Sequence, residues 1–409
     1  MPHFVTRPLS DFSDHEVDLN DVAHDNGQLF VRDGVGFAGC GTSVPVPLRD
    51  LAAWFESSSV DDTVDAPGST GVAFGAHPFL GRDGVAYIPQ ISVGKDSAQQ
   101  PWVTVLCDTE RGSTNHLNEV VAKALVRTHP ESATPASFTV RPGVAVAHYL
   151  RAVETARDAV RRGHITKAVI ARDIIVESSE PIAVHALLKR LKASFGSSYR
   201  YSINGFVGAS PELLVSRHGE FVASHPLAGT TPRTGDPSTD ARLANELRAS
   251  SKNQIEHRVV IDMVHDTLLP WCSYLDWQPE PDVVAVANVQ HLGTRIEGKL
   301  SLPYPHVVEL VNALSPTPAL GGAPREAALR LIAAHEGVER GLYGGAVGWC
   351  DRHGNGTWAV AIRCAALSSD RRTAQLFAGG GIVADSEPLA ELAETQAKFQ
   401  AMLAAIVRP

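Results

Sequence analysis

Apolar residues recur at helical spacing from Val144 to Arg162: Tyr149, Val153, Ala156 and Val160 fall on one stripe, Arg161 and Arg162 occupy the last turn, and Gly163 stops it. The pattern then changes. The stretch from His164 to Val176 is β-branched and reads as a strand. The same reasoning predicts helices at Pro181 to Ser194, Ala241 to Leu269, Pro305 to Leu314, Pro324 to His335 and Pro388 to Val407. Strands are predicted at Tyr199 to Gly208, Leu213 to Arg217, Val283 to Gly298, Gly345 to Cys350, Thr357 to Ala366 and Ala374 to Gly379. Residues 1 to about 127 read as short strands and turns with one helical stretch near PLRDLAAWFESS, and THPESATPASFTVRP, residues 128 to 142, reads as a connection.

Composition narrows the function classes. The chain has 409 residues and 44% hydrophobic content, enough for a large core. Its net charge of -9 is spread among interspersed acids and bases, which offers no footprint for nucleic acid or an anionic membrane. An anionic substrate would need local positive charge. The five cysteines are scattered without a C-x-x-C pair, and no apolar run is long enough to span a bilayer, so a reduced, cytoplasmic setting is expected.

Within this frame a few residues have chemical potential. In the 164–176 strand, Lys167 shares a face with Ile165, Val169 and Ala171, an apolar setting that would lower a lysine pKa and make a general base. The same pattern fits a lysine whose stem covers apolar surface while its head reaches water. Glu212, in GASPELLVS, projects from a turn between buried strands, where a carboxyl can retain a proton for a leaving group, although turn glutamates are commonly solvated. Glu256 lies on the face of Val260, Met263 and Thr267, a carboxylate on an apolar stripe in need of a partner. Glu391, Glu394 and Lys398 fall on one face of the last helix, which fits either a solvated face with an i,i+4 pair or, joined to Glu256, oxygen ligands for Mg²⁺. Gly379, Gly380 and Gly381 are expected to end a strand and free backbone N–H groups for an anion, but the segment is neither a P-loop nor a dinucleotide fingerprint. Arg363 and Tyr343 are natural carboxylate partners.

Taken in order, KAVIAR, GASPELL, HPLAGTTPR, SKNQIEHRVVIDMV, VQHLGT, LSPTPALGGAPREAA, RGLYGGAVGW, WAVAIRCA, AGGGIVADS and ELAETQAK resemble the chorismate-utilising enzymes, the family of isochorismate, salicylate, anthranilate and aminodeoxychorismate synthases. The resemblance covers about residues 140 to 407; the N-terminal third is similar only at VAFGAHPFLG. It implies an α/β fold of the α+β type: one domain over 1–409, with extensive antiparallel sheet and helices around a central cleft, whose motifs lie in 141–409 and whose 1–140 portion is less characteristic. It implies Glu256 and Glu394 as Mg²⁺ ligands with Glu391 nearby, directly or through water. Gly229, Thr230, His291, Ala319, Tyr343, Arg363, Gly379 to Gly381 and Lys398 would then lie around chorismate, with metal, Arg363 and Lys398 supplying the positive charge that the chain lacks overall.

Two positions speak to the nucleophile. Ammonia-using members resemble one another in carrying glutamine where this chain has Lys167, and aminodeoxychorismate synthases typically place a lysine where it has Ala228. The resemblance therefore implies water attacking ring C2, with Lys167 as base and Glu212 protonating the departing C4 hydroxyl. Pro318 and Ala319 in LSPTPALGG are similar to the isochorismate synthase form; Ser315 departs from it, where histidine is usual. The alternatives are a salicylate synthase, which goes on to eliminate pyruvate, and an ammonia-using anthranilate synthase component. Expected partners are chorismate alone, with no glutaminase, no nucleic acid and no membrane, on a monomer. The product would feed menaquinone, salicylate or siderophore synthesis.

Overall fold

The structure, a computed structural model, describes all residues except 82–83, 109–113, 126–135, 196, 287–288 and 409. A large, mostly antiparallel sheet runs through it as two arms that share the strand Val85–Lys95. One arm passes through Val35–Pro47, Gln28–Arg32, Tyr199–Ile203, Phe206–Ser210, Cys364–Leu367 and Thr373–Ile382 to Lys167–Ser178. The other passes through Val72–His77, Ala346–Asp351, Gly356–Val360, Leu213–His218, Phe221–His225 and Ile296–Leu300 to Cys272–Trp277. Strands from the N-terminal third thus pair directly with strands from the rest.

Two direct strand-to-strand crossings between the arms lie side by side. One crossing is Ser210 to Leu213 and the other Val360 to Cys364; they are tied together where Val360 N donates to Glu212 O and Ala209 N to Arg363 O, each at 3.0 Å. Arg363 has φ of 53°, an uncommon value for a side-chain-bearing residue, and it sits where the chain turns from one arm to the other. A smaller antiparallel sheet, Leu227–Pro232 with Val289–Gly293 and Asp282–Val286, lies against the helix Ser251–Leu268. The helix Pro388–Val407 packs on Thr373–Ile382 and on the helix Val146–Arg161, and Arg325–His335 packs on Lys167–Ser178.

Most predicted elements are present with shifted ends, and the differences have local causes. The helix expected from Ala241 to Leu269 is two, Pro237–Ala249 and Ser251–Leu268, because Ser250 is extended and caps the second by accepting from Asn253 N. Tyr199 to Gly208 is a hairpin turned at Asn204-Gly205, both with positive φ, the tight-turn pair whose signal the apolar run concealed. Val283 to Gly298 divides among three strands. Thr357 to Ala366 is broken at Arg363. The expected connection at 128 to 142 falls partly outside the described residues, while Phe138–Pro142 is a strand paired with residues 174 to 178.

The glycine segment departs most from expectation. Its strand continues to Ile382, with Gly379, Gly380 and Gly381 opposite Ala171, Ile170 and Val169. Ala171 and Val169 send their N–H groups away from this strand, to Glu336 and to Gly321 O. Their cross-strand partners Gly379 and Gly381 therefore point away from the ladder, while Gly380 pairs with Ile170. Only the outer two present backbone edges to the cleft.

Core packing is tight within the second arm. Trp358 is fully buried, and a Cβ on Gly75 would lie 2.2 Å from its ring. Trp358→Ala is expected to lower stability by about 3–5 kcal/mol, measured by urea unfolding, because the cavity cannot collapse between paired strands.

Candidate active site

A cleft of about 240 Å³ opens between the sheet arms, the small sheet and the helices Ser251–Leu268 and Pro388–Val407, room for a small ring rather than a dinucleotide. Lys167, Glu212, Gly229, Thr230, Glu256, His291, Ala319, Tyr343, Arg363, Gly379, Gly381, Glu391, Glu394 and Lys398 all line it. Gly380 does not, because its backbone is committed to the ladder. Ser315 is buried away from the cleft, with its hydroxyl unpartnered.

Lys167 is the first residue of its strand, and its Nζ donates to Glu256 Oε1 at 2.6 Å. The expectation of an isolated lysine among apolar neighbours is corrected: the partner comes from a helix that sequence alone could not bring near. Gly381 makes the approach feasible, since a Cβ there would lie 2.8 Å from Lys167 Cε and 2.9 Å from Glu256 Oε1.

Glu212 is 2% exposed at the first crossing. Burial pushes its carboxyl up to about 8, against the Leu227 N–H and the charge of Lys167, and its Oε1 has no partner. At neutral pH it is therefore a protonated acid facing the cleft.

Arg363, at the second crossing, is the complementary case. Its Nη2 donates to His291 Nε2 at 3.2 Å, while its buried Nη1 has no partner. A guanidinium can only donate, so Nε2 accepts and Nδ1 carries the proton, facing Gly229 O and Thr230 Oγ1 at 3.1 Å each. Burial, with the charges of Arg363 and Lys398, pushes the imidazole down to about 3 and keeps it neutral. Tyr343 stacks on Phe377 at 5.2 Å, and a Cβ on Gly379 would lie 3.1 Å from its hydroxyl.

The acids of the last helix divide by partner. Burial would raise Glu394, but the charge and hydrogen bond of Lys398, at 2.6 Å, hold it below the usual carboxylate range. Lys398 Nζ also donates to Gly379 O at 2.7 Å. Burial and the neighbouring Glu394 charge raise Glu391, which accepts from Ser386 Oγ at 2.8 Å. Glu256, Glu391 and Glu394 all line the cleft and offer oxygen donors of the kind a hard cation takes. Among the described residues no three acidic, histidine or cysteine side chains converge closely enough to hold an ion by themselves. A Mg²⁺ ion there would take one or two of these carboxylates and would need water and substrate oxygens to complete its shell.

Sequence reasoning did not single out Val169, Lys252, Asn253, Ile362 and Phe377, which also line the cleft. Lys252 had a usable signal, since it precedes Glu256 by four residues and so shares its helix face. Among the described residues no helix is long and apolar enough to cross a membrane.

The Glu212 assignment has a measurable consequence. Its folded value lies above the unfolded value of about 4.3, so its stabilising contribution is intact below about pH 4 and is lost as pH rises through 8. Glu212→Gln is expected to be near neutral at pH 4 and to stabilise the fold at pH 9 by on the order of a few kcal/mol, read by urea unfolding at both pH values.

Comparison with known proteins places this cleft in context. The MenF protein of Mycobacterium tuberculosis is 44% identical over 273 residues, 64% of this chain and 73% of that protein. The isochorismate synthase DhbC of Bacillus subtilis is 39% identical over 291 residues, 68% of this chain and 73% of that one. The fold is shared with the menaquinone-specific isochorismate synthase MenF of Escherichia coli, at TM-score 0.83 and 22% identity over 100% of this chain and 94% of that one. The pattern of the chorismate binding enzyme family matches residues 80–407, and the chain belongs to that family.

Proposed function

We propose that this chain is an isochorismate synthase that converts chorismate to isochorismate with water as the nucleophile. The carrying observation is that one cleft is lined both by a protonated Glu212 whose Oε1 has no partner and by a lysine, Lys167. The identity to curated isochorismate synthases supports the same reaction.

Lys167 takes a proton from water as its oxygen bonds to ring C2. The ring double bonds shift, the C4–O bond breaks, and Glu212 delivers its proton to the departing hydroxyl, which leaves as water. The free Nη1 of Arg363 and the phenol of Tyr343 supply donors for a carboxylate, and the outward N–H groups of Gly379 and Gly381 add two more. Neutral His291 orients Arg363 without adding charge.

Glu256 and Glu394, with Glu391 beside them, would hold Mg²⁺, which would supply positive charge for the ring carboxylate. Glu256 engaged in that way would cease to accept from Lys167 and would leave the amine facing water. Ala228 leaves no amine at the neighbouring position to compete as nucleophile. This reading includes a monomer without a glutaminase, acting in the cytoplasm, whose product feeds menaquinone, salicylate or siderophore synthesis.

The test is chromatography of products from chorismate as sole organic substrate with Mg²⁺. Isochorismate is expected without glutamine or ammonia; stoichiometric salicylate and pyruvate would instead make the chain a salicylate synthase, and ammonia-dependent anthranilate would sink the role of Lys167. Chelation should abolish turnover and Mg²⁺ should restore it. Lys167→Ala is expected to lower kcat by about 10²–10⁴ while chorismate still binds. Turnover should fall as pH rises through about 8, where Glu212 loses the proton it donates.

A further inference from the structure

Lys167 emerges from a strand whose outer edge lacks a continuous neighbour. Gly322–Ala323 pairs with residues 167 and 168, and Phe138–Pro142 pairs with 174 to 178. Between them Val169 O and Ala171 N would be left over, in the protein interior, at a cost comparable to lost hydrogen bonds.

Two side chains fill that gap. Ala171 N donates to Glu336 Oε2 at 2.7 Å, and Arg340 Nη2 donates to Val169 O at 2.7 Å. The two are joined by Arg340 Nε to Glu336 Oε1 at 2.7 Å, and their side chains are 3% and 1% exposed. An ion pair thus stands in for a strand, offering an acceptor and a donor in the places where a neighbouring backbone would.

The same guanidinium reaches further. Its Nη1 donates to Leu320 O at 2.9 Å and its Cζ lies 4.1 Å from the Phe79 ring centroid, while the Arg340 backbone carbonyl accepts from Tyr343 N at 2.9 Å. Leu320, Val169 and Tyr343 all line the cleft, whereas Glu336 and Arg340 do not. The pair therefore joins the base strand, the 317–321 loop and the Tyr343 turn through their main chains without touching the cleft.

We propose that Glu336 and Arg340 are positioning residues that fix the register and height of Lys167 against Glu256 and the bound ring. Such a pair is poor evidence for stability, since well-packed apolar residues often replace buried ion pairs at no loss. Its geometry suits placement: planar and bidentate, it fixes direction as well as distance.

The inference rests on the chorismate reading for its kinetic arm and on crystallography for an independent one. Arg340→Lys keeps the charge but cannot span Glu336, Val169 and Leu320 together; the double variant Glu336→Gln with Arg340→Gln leaves no unpaired charge if the single variant fails to fold. Per folded site, kcat is expected to fall roughly 10- to 100-fold, with KM for chorismate within about threefold because Arg363 and His291 are untouched. A crystal structure of the variant should show Lys167 Nζ beyond hydrogen-bonding distance of Glu256. Wild-type kcat per folded site in either variant, an unmoved Lys167, or failure of both variants to fold overturns the proposal. If the unaltered enzyme does not turn chorismate over, the functional reading fails, and the position of Lys167 still decides this one.

Discussion

The antiparallel ladder between Lys167–Ser178 and Thr373–Ile382 sets the terms for the rest of the cleft. It places three consecutive glycines opposite the strand that carries Lys167, at the spots where side chains would collide with cleft-lining groups. A Cβ on Gly379 would crowd the Tyr343 hydroxyl, one on Gly380 would come 2.6 Å from Glu391 Oε2, and one on Gly381 would meet Lys167 and Glu256. Because adjacent residues face opposite sides of a strand, one glycine run admits the helix Pro388–Val407 on one face and Glu256 on the other. The absence of side chains is thus a packing requirement.

Charge is arranged around that ladder by neutralising pairs. Lys167 is matched to Glu256, Lys398 to Glu394, and Arg363 to a neutral histidine. Glu212 is left without an ionic contact, and burial keeps it protonated. The contrast between a carboxyl pushed up and an imidazole pushed down within one cleft has a single cause, since desolvation disfavours whichever form is charged. A chain of net charge -9 can receive an anion here because its positive groups are concentrated and already held in place.

The twin crossings explain how acid and guanidinium come together. Glu212 and Arg363 lie 151 positions apart, yet each occupies the step where the chain leaves one sheet arm for the other, and backbone hydrogen bonds join the two steps. The positive φ of Arg363 is the local cost of making that turn with a side chain attached. Prolonging either strand by its own propensity would turn both groups away from the cleft.

Much of this was legible in the sequence. Helical periodicity located Val146–Arg161 and Pro388–Val407, apolar and β-branched runs located the strand that carries Lys167 and the strands that flank Glu212, and ordered motifs indicated the family; these are local signals, set by the 3.6- and 2-residue periods. The strand ends, the Asn204-Gly205 turn hidden in an apolar run and the Ser250 break were not, because several local conformations suit the same short segment. Which glycines present their backbone, that Lys167 is paired, and that Glu336 and Arg340 complete an open sheet edge were decided only in three dimensions. Those facts depend on strand register and on contacts between residues far apart in the chain, and no periodicity within a single segment encodes which segment will lie beside it.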